Sequence, residues 1–169
     1  MTSGNVTLAR SGGATRAVSE RSRSMRLFPL KAVLGGFVGT AVMTLMMYFV
    51  APMILGMPMD IAAMLGGMLG GSWAMGLLMH FANGSIVFPL IYAYGLYRLL
   101  PGEPWLRGTI WGLILWLLAQ VLVMPMMGAG VFSANAGGLM AVMASLIGHV
   151  VYGALLGGIA GRGEERVER

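Results

Sequence analysis

Cysteine is absent from this chain of 169 residues, so no disulfide, thiolate ligand or cysteine nucleophile can operate in it. Charge is almost as scarce. Only 10% of the residues are Asp, Glu, Lys or Arg, and none of them falls between Ala32 and Met59, between Ile61 and Tyr97, or between Gly108 and Gly161. Uncharged apolar runs of about 18 residues or more mark helices that cross a bilayer. The last run is long enough for two. Acid–base groups are too sparse for a nucleophilic enzyme: no Ser, His and acid come together, and Asp60 lies about five helical turns in sequence from His80.

What is abundant is apolar or small. The chain is 57% hydrophobic, with 27 glycines and 17 methionines, and carries a net charge of +5. That charge does not describe a nucleic-acid binder. The basic residues flank apolar runs, where Lys and Arg set topology and meet anionic lipid headgroups. The expected partners are therefore the bilayer, with anionic lipid at the basic arm, and no nucleic acid.

Composition divides the chain into a polar, disordered arm over 1–31, a membrane domain over 32–161 and a charged tail over 162–169. Four spans are expected at about 32–55, 73–97, 108–127 and 139–160. The first apolar run is longer than the core of a secretory signal and lacks a small-x-small cleavage site, so it reads as an uncleaved span. Pro52 and Pro125 are read as ending or kinking the first and third spans and Pro89 as kinking the second. Ile61 to Gly71 is too short to span, and Asp60 is placed to cap it as a short interfacial or re-entrant helix. The fold class is an all-α, four-helix transmembrane bundle.

Of the eleven basic residues, six precede span one, two (Arg98 and Arg107) lie in the turn between spans two and three, and three follow span four. The other two connectors have none, so the positive-inside rule predicts both termini and the central turn in the cytoplasm. Pro52 and Pro125, each in a Met-rich stretch, and the two His-x3-Gly sequences recur in the same order. This reads as an internal repeat of two parallel helix pairs.

Within the spans the candidate functional residues are His80 and His149. They sit in Ser72-x3-Gly76-x3-His80-x3-Gly84 and in Ser145-x3-His149-x3-Gly153-x3-Gly157. Residues four apart share a helix face, and small residues there let backbones approach closely. An imidazole in such a seam needs a partner. Either each ring is a neutral packing residue, satisfied by a polar interior of Thr40, Thr44, Tyr48, Asn83, Gln120, Ser145 and Tyr152, or the two together hold haem b or a metal ion for electron transfer. In the second case Gly76, Gly84, Gly153 and Gly157 make room for the macrocycle. In the first they pack helices, and no cofactor is expected. Thioether softness makes Met57, Met59, Met124 and Met126 candidate Cu(I) ligands, against the ordinary use of Met as a flexible filler. Pro-interrupted helices raise small-solute transport, but no carboxylate or basic residue lies in the spans to couple it.

Met57-Pro58-Met59-Asp60-Ile61, Leu100-Pro101-Gly102-x-Pro104-Trp105-Leu106-Arg107-Gly108, Met124-Pro125-Met126-Met127-Gly128 and Gly148-His149-Val150-Val151-Tyr152-Gly153 together resemble an uncharacterised family of small four-helix bacterial inner-membrane proteins, a domain of unknown function. The resemblance implies a four-span fold in a bacterial membrane, with no activity and no site residue attached. The expected role is that of a non-enzymatic membrane subunit or accessory protein, associating through its helix faces with itself or within a larger complex.

Overall fold

The computed structural model describes residues 28–161. The arm expected to be disordered, apart from residues 28–31, and the charged tail lie outside the described residues. Those described are all-α, with no strand among them. Four helices are long and apolar enough to cross a membrane: α1 (Phe28–Leu55), α3 (Trp73–Leu96), α4 (Pro104–Met126) and α5 (Gly138–Gly161). The short α2 (Ile61–Met68) lies between the first two, and a single 3₁₀ turn (Val131–Ser133) lies between the last two.

Two helices begin earlier than composition implies. Helix α1 already includes Phe28, which is buried against Tyr97 with ring centroids 4.5 Å apart, so residues 28–31, expected to belong to the polar arm, are helical. Helix α4 starts at Pro104, whose fixed φ suits a first helical position and whose missing N–H is not needed there. Arg107, in that first turn, folds back: its Nε donates to the Gly102 carbonyl at 2.8 Å and its guanidinium lies 4.8 Å from the Tyr97 ring centre. These contacts lock the turn between α3 and α4.

Pro52 and Pro89 lie within their spans, and Pro125 lies one residue before the end of its own. Each of Pro52, Pro89 and Pro125 follows a one-turn π-helix that starts six residues earlier, at Met46, Asn83 and Ala119. In each the residue before the proline, Ala51, Phe88 or Met124, donates to the carbonyl five residues back. The cause is steric and electrostatic: proline brings no donor and its ring crowds the carbonyl four residues back, and widening the turn relieves both. The helices run on past the prolines to Leu55 and Met126. Helix α1 then stops at Gly56, which takes the left-handed conformation (φ 72°) that a β-carbon disfavours, with its N–H on the Pro52 carbonyl.

A proline also strips a donor from the carbonyls behind it, and in lipid these must be served from elsewhere. In α1 the Met47 carbonyl accepts from the Met59 N–H at 3.2 Å. In α3 the Gly84 carbonyl accepts from the Tyr152 hydroxyl of α5 at 2.8 Å. The two irregular helices are thus cross-linked at the points where proline made them irregular.

Glycines decide which helices touch. A β-carbon on Gly35 or Gly39 of α1 would press on the Leu156 and Tyr152 backbone of α5, and one on Gly36 would meet the Gly84 carbonyl and Pro89 of α3. On α4, Gly108 and Gly112 face the Gly153 and His149 carbonyls, so α4 and α5 share a seam of glycine on glycine. Between Trp73–Ile91 of α3 and helix α4 no comparable seam exists among the described residues; α4 comes nearest to α3 around Tyr92–Leu96. The spans therefore run α3, α1, α5, α4 around an axis, parted along one side.

Candidate functional site

The space enclosed by that incomplete ring is a cavity of about 340 Å³. All four spans contribute to its wall, among them Thr40, Met43 and Met47 of α1, His80, Asn83 and Gly84 of α3, Leu115, Leu118, Ala119, Leu122, Val123 and Met124 of α4, and Ser145, His149 and Tyr152 of α5. Met59 and Ile61, Met64 and Leu65 of α2 close one end. Among the described residues no Asp, Glu, Lys or Arg lines it. Leu118 and Leu122 border the cavity while half or more of their surface faces outward, so the cavity opens sideways along the parted α3–α4 flank.

Both histidines line this cavity, and their protons can be placed from their partners. Thr40 Oγ1 donates to the Gly36 carbonyl and Thr44 Oγ1 to the Thr40 carbonyl, each at 2.7 Å. The Thr44 proton is thereby committed, and His80 Nε2, 3.1 Å from Thr44 Oγ1, must be the donor to it. His149 Nδ1 stands 2.8 Å from the Ser145 carbonyl, which accepts only, so Nδ1 carries that ring's proton. A charged imidazole without a counter-ion is costly in the membrane interior, and both rings are neutral. The bare nitrogens are then Nδ1 of His80 and Nε2 of His149. No partner is found for either nitrogen among the described residues, and both residues belong to the cavity wall.

Behind His149 runs a relay into the 3₁₀ turn. Gln120, fully buried, donates through Nε2 to Ser145 Oγ at 3.3 Å and accepts from Ser133 Oγ at 3.0 Å. Ser133 and Phe132 hold positive φ (52° and 49°), a strained arrangement for residues other than glycine; here it aims the Ser133 hydroxyl inward. Asn83 lines the cavity with its carboxamide unpartnered among the described residues.

The remaining polar residues form a separate cluster at the α2 end. Asp60 caps α2, accepting from the Ala63 N–H at 2.9 Å; its carboxylate also accepts from Tyr48 at 2.6 Å and from the Trp73 indole at 3.1 Å. Partial burial raises the Asp60 pKa, but the hydrogen bonds from Tyr48, Ala63 and Trp73 outweigh it and hold the group below its ordinary 3.8. One carboxylate thus fastens α1, α2 and α3 together.

Of the four glycines flanking the histidines, only Gly84 borders the cavity. Gly76 lies against the Ala62 carbonyl of α2, and Gly153 and Gly157 lie in the α4–α5 seam against Gly108 and Pro104. Met59 and Met124 stand in the cavity wall, whereas Met57 and Met126 turn outward, 65% and 62% exposed. Sequence reading did not single out Met43 and Met47 as wall residues, although their spacing of four puts them on the face of Thr40 and Thr44. It also missed the Asp60–Trp73 pair, for which an indole at the start of a span beside the only intervening acid was the available signal. Among the described residues there is no group of three or more His, Cys, Asp or Glu able to hold a metal ion.

No curated protein and no solved structure matches this chain. Residues 28–169 match a family model, and the chain belongs to that family of unknown function, DUF6789.

Proposed function

We propose that this is a small non-enzymatic protein of the bacterial cytoplasmic membrane that holds a neutral, mostly apolar molecule drawn from the bilayer, serving as an accessory or subunit to whatever uses that molecule. The single observation that carries the reading is the laterally open, charge-free cavity of about 340 Å³ between the four spans. Its size lies at the lower end of small-molecule sites, and an apolar wall with a few convergent polar groups is their usual make-up. An uncharged wall cannot repay the hydration an ion would lose on entry, whereas a bilayer solute loses none. Ala119→Phe fills the cavity from α4 without touching the glycine seam. An organic extract of the purified wild type should contain a small molecule that the extract of Ala119→Phe lacks; identical extracts from two folded proteins would remove the reading.

Both termini are assigned to the cytoplasm, supported by Arg98 and Arg107 at one end of the bundle and Asp60 at the other. The cysteine-free chain is a ready background for the check: Glu103→Cys should resist, and Met57→Cys accept, a membrane-impermeant thiol reagent added outside.

The two bare imidazole nitrogens on one cavity favour a second reading, a haem- or metal-binding redox subunit. Here His80 would offer Nδ1 and His149 Nε2. A Soret band in the purified protein, lost in both His80→Ala and His149→Ala, is its signature; a metal-free preparation in which added haem keeps the spectrum of unbound haem rules it out.

A further inference from the structure

We infer that the occupant of this cavity is a hydroquinone or related phenol, bound through its hydroxyl hydrogens, and that the cavity discriminates against the corresponding carbonyl-only quinone. The inference rests on the binding reading above and adds the chemistry of the ligand's polar end. It follows from where the protons are. The threonine chain leaves His80 Nε2 as a donor already used and Nδ1 as a bare acceptor. The Ser145 carbonyl does the reverse for His149, leaving Nε2 bare. Two neutral rings therefore turn acceptors, not donors, to the same space.

The other polar groups on the wall do not offset this bias. The Thr40 hydroxyl is spent on the Gly36 carbonyl and the Tyr152 hydroxyl on the Gly84 carbonyl. Asn83 and the Ser145 hydroxyl can each donate or accept, so they fit either ligand and the imidazoles decide. A quinone carbonyl set against a bare imidazole nitrogen makes no hydrogen bond and desolvates two acceptors, whereas a hydroxyl makes one. A charged head is disfavoured because no residue of opposite sign lines the cavity among the described residues. The rest of the wall suits an apolar ring: Met43, Met47, Met59, Met64 and Met124 are flexible and polarizable, and sulfur packs well at aromatic edges. The parted α3–α4 flank lets such a molecule arrive through the bilayer without crossing water.

Three probes share one carbon skeleton and differ only at the polar positions: durene, with none, duroquinone, with two carbonyls, and duroquinol, with two hydroxyls. Their binding to the full-length protein in nanodiscs, kept anaerobic and corrected against empty nanodiscs, tests the inference. Duroquinol should bind at least about tenfold more tightly than duroquinone. In Thr44→Val the His80 ring is free to move its proton to Nδ1, and the preference should shrink to about threefold or less while durene binding is retained, which also reports that the variant is folded. Equal binding of quinol and quinone, with durene bound, overturns the inference and leaves the cavity as a general apolar site. Failure of all three to bind overturns both.

Discussion

Removing one hydroxyl should expose the debt that proline leaves in α3. Tyr152 is 3% exposed and its hydroxyl donates to the Gly84 carbonyl at 2.8 Å. Tyr152→Phe keeps the ring against Gly39 and deletes only the donor. Bonds between helices in membranes average about 0.6 kcal/mol and reach about 1.7. Gly84 lies at the upper end, because the residue at position 89 is a proline and offers no alternative N–H. A loss of about 1.5 kcal/mol is expected. Pro89→Ala restores a donor one turn on, able to serve the carbonyls of Gly84 or Ser85. In that background Tyr152→Phe should cost about 0.5 kcal/mol or less, a coupling of about 1 kcal/mol. Reversible unfolding in mixed micelles on the four members of the cycle measures it. If the hydroxyl costs the same with proline and with alanine at position 89, the account of the π-turns as unmet carbonyls is wrong.

Gly153→Ala sets a β-carbon against the Gly108 carbonyl and should cost about 1–3 kcal/mol, whereas Gly158→Ala, with nothing within 4 Å of the new atom, should be neutral or stabilise by up to about 1 kcal/mol; thermal unfolding in detergent separates the two. Ser85 Oγ is buried with no partner among the described residues, so Ser85→Ala should leave stability unchanged or raise it by up to about 1 kcal/mol in the same assay. The Asp60 carboxyl binds its proton more weakly when folded than when unfolded. Its contribution is complete above the ordinary carboxylate value and fades as pH falls through the lower folded value. With Trp105, Trp111 and Trp116 replaced by Phe, the fluorescence of Trp73 should shift below pH 3.8 and lose that transition in Asp60→Ala, which also loses the cap of α2, worth about 1 kcal/mol.

The spans were legible because hydrocarbon permits so little else: an uncharged run of that length must be helical to satisfy its own backbone. Asp60 as the cap of a short helix was legible for the same reason, an acid at the first residue after a Pro-containing turn. Which stripe meets which was not. The small residues around His80 and His149 were read as close-packing stripes with no partner assigned; Gly153 and Gly157 pack on α4, and Gly76 packs on α2. A stripe announces that something comes close without naming it, since pairing is set by long-range contacts that one chain does not record. The prolines at positions 52 and 125 were read as ending or kinking their spans; the π-turn before each, which lets the helix absorb the missing donor, was not legible. His80 and His149 stood out because each is the only histidine of its span; the direction of each ring's proton needed Thr44 and the Ser145 carbonyl in three dimensions.

The bond between Tyr152 and Gly84 joins residues 68 apart in sequence, and this sets an order of events during biogenesis. The third helix leaves the ribosome and enters lipid with an oxygen that nothing synthesised so far can serve, and it stays in that condition until the final helix is made. Quality-control proteases that sense polar atoms in the bilayer would meet this chain as an unfinished product up to its last hydrophobic segment. A version cut before Gly138 should accordingly be cleared faster in pulse-chase than one cut after Gly161.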